Sequence, residues 1–159
     1  MSFKKNNLNP KGGDFHYNFD MIASVVDGFW EIHLIDGKVV PKELVKSSPQ
    51  TNTQFELPPN LTTEEWRKYI HPEDISKVLN KLAIYLADTL DLNFYTLEYR
   101  VRRVNGSYRW VQSRGKAFRD EEGIPLKLVG TLRDITAEKE VFLLKNHLEE
   151  EVQKKILVL

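Results

Sequence analysis

The sequence predicts an α+β fold, in which an antiparallel sheet carries short helices on one face and a long helix closes the chain. Three observations predict it. Residues 94–136 hold three alternating runs separated by two turn signals, the pattern of a three-strand meander. Upstream, Ile75, Val78, Leu79, Leu82 and Leu86 form the stripe of an amphipathic helix packed on a sheet. Downstream, residues 137–159 contain neither proline nor glycine and carry an apolar seam at helical spacing.

Size and composition narrow the function classes. The 159 residues suit one domain with an appendage, and 41% of them are hydrophobic, enough for a core. Twenty-three basic and twenty-three acidic residues cancel, so no bulk field attracts nucleic acid or anionic lipid. The arginines at 100, 102, 103, 109, 114, 119 and 133 lie among acids, which argues against a nucleic-acid surface. Cysteine is absent, which removes disulfides, thiolate metal sites and cysteine chemistry and agrees with a cytoplasmic setting. The N-terminal stretch lacks the apolar region of a signal peptide. No apolar run reaches the roughly 20 residues needed to span a bilayer.

Taken in order, residues 1–14 are polar, with Pro10 and Gly12-Gly13, and read as a flexible lead-in. Phe19, Ile22, Ala23 and Val26 have helical spacing, so residues 15–26 suit a short flanking helix. Phe29 to Ile35 alternates, and Asp36-Gly37 offers a tight turn into Lys38-Val39-Val40, a hairpin whose second strand Pro41 keeps short. Lys46 to Asn60, rich in Ser, Thr, Gln, Asn and Pro, is expected to be irregular or to hold one short turn. Thr62-Thr63-Glu64-Glu65 is a capping box, and Trp66, Tyr69 and Ile70 share a face of the short helix after it. A second helix start follows at once. His71 takes the cap position, Pro72 the first helical position, and Glu73 and Asp74 the positive end of the dipole; the helix is expected to end near residues 86–89. In the meander, Asn105-Gly106 joins the first two strands and Asp120 to Gly123 the second and third. Thr136 is placed to cap the last helix, and Asp134 to partner an arginine of the sheet.

The order E-Y-R-V-x-R-x-x-G-S-Y-R-W-V from Glu98, then R-D-x-x-G-x-P from Arg119, then G-x-x-x-D-I-T from Gly130, resembles the C-terminal half of a PAS sensor domain, its PAC motif. His71-Pro72-Glu73-Asp74 matches the helix start of one PAS type, similar to PAS fold 3, and the resemblance runs roughly from Ile22 to Lys139. It implies one five-stranded sheet that joins the first hairpin to the meander, a PAS/PAC domain over residues 15–135, and a coiled-coil linker helix over residues 136–159. The flanking helix at 15–26 then has two readings, a dimer contact or plain packing.

With that resemblance, pleating places Tyr99, Val101, Val111, Ser113, Gly115, Leu128, Gly130 and Leu132 on the inner face, as ligand-pocket candidates. Small residues among them leave volume there unless other side chains fill it. Arg100, Arg102, Trp110, Gln112, Arg114 and Arg133 fall on the outer face. Trp110 is then covered by another helix or subunit, or capped by arginine stems. Asp134, Ile135 and Thr136 form the exit and are signal-relay candidates. Val141, Leu144, Leu148, Val152 and Ile156 form a stuttered near-heptad seam, expected to pair with a second copy; the alternative is a helix folded back on its own sheet.

No catalytic or metal constellation emerges. The histidines at 16, 33, 71 and 147 lack ligand spacing, and no phosphate-loop, dinucleotide or nucleophile-elbow motif occurs. Some PAS domains hold haem through a histidine on the long helix, and residues 73–87 have none. Cysteine-dependent flavin photochemistry is excluded by composition, noncovalent flavin is not, and the cofactor stays unnamed. The resemblance therefore implies a non-enzymatic sensory module of a cytoplasmic histidine kinase or diguanylate cyclase, with a small-molecule or protein ligand, a homodimeric coiled coil and an output domain beyond residue 159. The alternative from another class is a ligand-free dimerisation or spacer scaffold. A small α+β enzyme lacks any acid/base pair to support it.

Overall fold

The computed structural model describes residues 26–88 and 93–158. Five strands form one antiparallel sheet: β1 (Gly28–His33), β2 (Val45–Ser47), β3 (Tyr95–Arg102), β4 (Tyr108–Arg119) and β5 (Pro125–Asp134), in the spatial order β2-β1-β5-β4-β3. Between β2 and β3 lie helices α1 (Pro49–Gln54), α2 (Thr63–Arg67) and α3 (Pro72–Ala87), and α4 (Thr136–Leu157) ends the chain. The flanking helix expected at residues 15–26 lies, but for Val26, outside the described residues.

The core sits between the sheet's inner face and the three short helices. Tyr99, Phe55, Leu128 and Val111 are its most deeply buried large side chains. On α3, Val78 and Leu86 are buried, and Ile75 and Leu82 pack partly against the same cluster. The helix ends at Ala87, inside the expected range. Its start is built as the sequence implies: His71 Nδ1 accepts from the Glu73 amide at 3.1 Å, and Pro72 takes the first position, where an N–H has no partner. The capping box at α2 is complete, with Glu65 N donating to Thr62 Oγ1 and Thr62 N donating to Glu65.

The first hairpin differs from expectation. Asp36 and Gly37 do form a two-residue turn, both with positive φ (51° and 71°), as a type I′ turn needs. The ladder beyond it stops at one bridge, Ile35 to Lys38. Residues 38–40 are not the second strand; Val45–Ser47 is, with Ile32 opposite Val45 and Trp30 opposite Ser47. The reason is Pro41, whose ring holds φ near about −65° where an antiparallel strand takes about −140°, so the chain loops out and re-enters with Val45. The re-entry carries structure into residues expected to be irregular. Ser48 caps α1 by accepting from the Thr51 amide, and Pro49 opens the helix.

The two meander loops share one geometry. Arg103 N donates to Ser107 O and Gly106 N to Arg103 O; Asp120 N donates to Ile124 O and Gly123 N to Asp120 O. In each, only the glycine takes positive φ (85° and 84°). Asn105 is not among the positive-φ residues, so this is the longer loop built on an ordinary turn with a left-handed glycine, not the two-residue turn that Asn-Gly suggested.

Both edges of the sheet are engaged. Along β3, His71 N donates to Arg100 O, Arg102 N donates to Tyr69 O, and Ile70 bridges Val101. Asp74 then accepts from the Arg100 amide at 2.8 Å and grips its guanidinium through Nε and Nη2. The guanidinium is the main reason the Asp74 carboxyl sits below its usual range, with the backbone amide adding to it. On the other edge β2 is three residues long, and Val45 N donates to Leu61 O.

Candidate functional site

A cavity of about 140 Å³ lies between the inner sheet face and the helices. Its wall is mostly apolar: Trp30, Ile32, Val45, Leu97, Leu128 and Leu132 from the sheet, Leu57 and Leu61 from the loops, and Val78, Leu79 and Leu82 from α3. Tyr95, Tyr99 and Ser113 add hydroxyls, as do Ser47, Thr51 and Thr63. Pro41, Pro58 and Arg67, all exposed, form the rim.

The cavity's shape follows from one row across the sheet. Tyr95 pairs with Gly115, Gly115 with Gly130, and Gly130 with Trp30. The two central strands contribute no side chain there, and the two outer ones lay aromatic rings over the gap. A Cβ at Gly115 would sit 2.6 Å from the Tyr95 ring, and one at Gly130 would collide with the Trp30 ring. The ring centroids of Trp30 and Tyr95 are 6.4 Å apart, and Tyr85 lies 5.0 Å from Tyr95 on its other side. So the volume vacated by the glycines is taken by aromatics of the sheet itself. The remaining space lies one register further along, beside Ser113, with Trp66 packed edge-on to Tyr99 at 5.7 Å.

Burial is the chief reason the hydroxyls of Tyr95 and Tyr99 are held above the usual phenol range, and a hydrogen bond with Ser113 partly offsets it at both. Both stay protonated at neutral pH, as donors. Tyr85 is engaged elsewhere, donating to Asn93 O at 2.8 Å and accepting from the Ala117 amide at 3.0 Å.

A second cluster joins the cavity wall to the exit of the sheet. Arg109 lies on the inner face and is only 7% exposed. It donates to Gln54 O at 2.5 Å and to Glu56 at 2.9 Å, stacks over Phe55 at 5.6 Å, and lies 3.7 Å from Asp134. Asp134 accepts from the Thr136 hydroxyl at 2.6 Å and amide at 2.9 Å, while its own amide donates to Asp27. Thr136 therefore does not cap α4. Its hydroxyl donates to Asp134 and accepts from the Trp110 amide at 3.0 Å, and the cap position falls to Ile135, which has no side-chain cap. Asp134 does meet an arginine, but Arg109 had read only as one of a set of dispersed charges.

Comparison with known proteins decides the family. The model of the PAS fold matches residues 53–132, half of the chain. The chain belongs to the PAS family. An uncharacterized protein of Pseudomonas chlororaphis is 31% identical over 126 residues, covering 78% of this chain and 46% of that protein. A sensory box histidine kinase/response regulator from Burkholderia thailandensis superposes with a TM-score of 0.66 at 29% identity, covering 86% of this chain and 98% of that one. The N-terminal domain of a diguanylate cyclase with PAS/PAC sensor from Marinobacter aquaeolei shares the fold, with a TM-score of 0.55 at 22% identity over 70% and 97% of the two chains. The chain spans less than half the length of the curated relatives it matches.

Within this PAS domain, all eight inner-face candidates are buried. Tyr99, Ser113, Leu128 and Leu132 line the cavity; Val101, Val111, Gly115 and Gly130 do not. The periodicity did not single out Tyr95, Trp30 and Leu97 as pocket residues, although Tyr95 and Leu97 share the alternation of Tyr99 along β3 and Trp30 that of β1. On the outer face, Trp110 lies between the Arg100 guanidinium at 5.2 Å and the Lys139 ammonium at 4.9 Å, and Lys139 also pairs with Glu98 at 2.5 Å. Arginine capping and the first turn of α4 thus act together on that ring. Beyond this turn α4 leaves the sheet. None of its residues is buried, and the seam of Val141, Leu144, Leu148, Val152 and Ile156 is 54–67% exposed, so the helix is not folded back. No helix among the described residues is long and apolar enough to cross a membrane, and no group of three or more potential metal ligands occurs among them.

Proposed function

We propose that this PAS domain is the cytoplasmic input module of a larger signalling protein, a histidine kinase or diguanylate cyclase, and that its cavity takes a small molecule whose arrival is passed to α4. One observation carries the reading. Strand β5 supplies Leu128 and Leu132 to the cavity wall and, two residues on, Asp134 to the joint that holds α4. A ligand that moves Leu132 moves the strand that positions Asp134, Ile135 and Thr136. Arg109 gives a second route, since Gln54 and Glu56 flank Phe55 next to the wall residue Leu57. The output is a change in how two copies of α4 pack along the exposed seam.

Native mass spectrometry of the purified chain tests it. A dimer carrying a mass that leaves on denaturation supports the sensor. A dimer without it favours a ligand-free scaffold, a reading supported by the rings of Tyr95 and Trp30 already filling the glycine row. A monomer at micromolar concentration removes the dimeric relay. Cysteine pairs placed along residues 141–156 sharpen the outcome: a relay changes the cross-linking pattern when ligand is added, and one fixed pattern under all conditions overturns it.

A further inference from the structure

We infer that the cavity selects a small uncharged amphiphile, with an apolar body the size of one aromatic ring and one hydrogen-bond-accepting oxygen set against Tyr95, Tyr99 and Ser113. This rests on the reading of the cavity as a sensor site and narrows it to a ligand class.

Three features of the wall point there. The first is size. A protein cavity of roughly 150 Å³ holds one benzene, whereas drug-sized ligands occupy pockets of roughly 300–1,000 Å³. At about 140 Å³, this cavity is at the small end and does not admit an isoalloxazine or a porphyrin without dismantling its wall. The second is charge. The one ionised side chain at the site is Arg67, and it is exposed at the rim. A carboxylate or ammonium carried inside would be buried without a partner, at high cost. The environment that holds two tyrosines protonated disfavours any other anion for the same reason.

The third is the hydroxyl count. Ser47 donates to Asn52, Thr51 to Phe29 O and Thr63 to Val40 O, so these wall hydroxyls are committed. The wall hydroxyls left are those of Tyr95, Tyr99 and Ser113. Set in an otherwise apolar wall, an O–H that faces the open space calls for an acceptor: an alcohol, ether or carbonyl oxygen.

The test is a titration of the ¹⁵N-labelled full chain with benzyl alcohol, toluene, benzoate and flavin mononucleotide, read at the amides of Gly115 and Gly130. Benzyl alcohol is expected to give saturable shifts at both glycines, with benzoate at least about tenfold weaker and the flavin silent. Ser113→Ala is expected to weaken benzyl alcohol about five- to tenfold while leaving toluene unchanged. Tyr99→Phe is a second, shape-conserving variant for the same ratio. Benzoate or flavin binding as tightly as benzyl alcohol overturns the class while leaving the sensor reading standing. An alcohol-to-toluene ratio unmoved by both variants also overturns it. No saturable binding by any probe overturns the class and the cavity-sensor reading together.

Discussion

The sheet with its three short helices and the long α4 solve opposite problems. In the first, the core side chains have neighbours distant in sequence: Trp30 covers Gly130, Tyr95 covers Gly115, and Val78 of α3 is almost fully buried. In α4 no side chain is buried, though Val141, Phe142, Leu143, Leu144, Leu148 and Val152 are all apolar. The contrast teaches that the two parts carry hydrophobic residues for different reasons. Those of the sheet stabilise one folded chain, and those of α4 contribute little until something covers them.

Mutations can break this contrast from either side. The largest effect is expected at Tyr99, 1% exposed: Tyr99→Ala should cost about 3–5 kcal/mol in urea unfolding, the range of large aromatic-to-alanine changes in cores. Gly130→Ala should follow at about 2–3 kcal/mol. Its added Cβ meets the Trp30 ring and also the backbone oxygen of Arg114 at 2.7 Å, which cannot rotate away. Asp74→Ala, which leaves the Arg100 amide and Nε without their acceptor while Glu73 still holds Nη2, should cost about 2–3 kcal/mol. Leu148→Ala marks the other side of the comparison. It should change unfolding by less than about 0.5 kcal/mol, and on the proposed pairing of α4 it should lower the dimer fraction in sedimentation.

Acid and alkali probe the folded core by separate groups. The Asp74 carboxyl is lowered in the folded state, so its contribution is complete above the ordinary value of 3.8 and is lost as pH falls below it. Tyr95 and Tyr99 are raised, so their sign is opposite: stability is intact below the ordinary value of 10.0 and falls as pH rises past it, because the unfolded chain ionises first. Urea midpoints measured from about pH 9 to 11 should drop, and Tyr99→Phe should flatten that drop. An unchanged slope would show that Tyr99 ionises as freely folded as unfolded.

Much of the fold was legible because its signals are local. Alternation in residues 95–102, the capping box at Thr62 and the His71-Pro72 helix start each depend on neighbours within a few residues, and each took the expected form. What escaped depends on distant pairing. Val45–Ser47 became the second strand because Pro41 stopped the nearer one, and a strand of three residues leaves no periodicity to find. Arg109 read only as one of a set of dispersed arginines because its partners, Gln54 and Glu56, lie more than fifty residues away. The inner face was readable as a set, but which of its members border open space was not. At Gly115 and Gly130 that choice is made by the Tyr95 and Trp30 rings, and it needs the register of four strands at once.

The covered edges of the sheet have a further consequence. A strand edge with unpaired amides is a template on which other chains can add, and this is how sheets seed fibres. Here the segment from Tyr69 to Asp74 occupies the C-terminal half of the β3 edge, and the opposite edge offers only three residues. Loosening the Asp74–Arg100 clasp would expose that half of β3, so Asp74→Ala should raise thioflavin-positive aggregation on warming before the rest of the domain has melted.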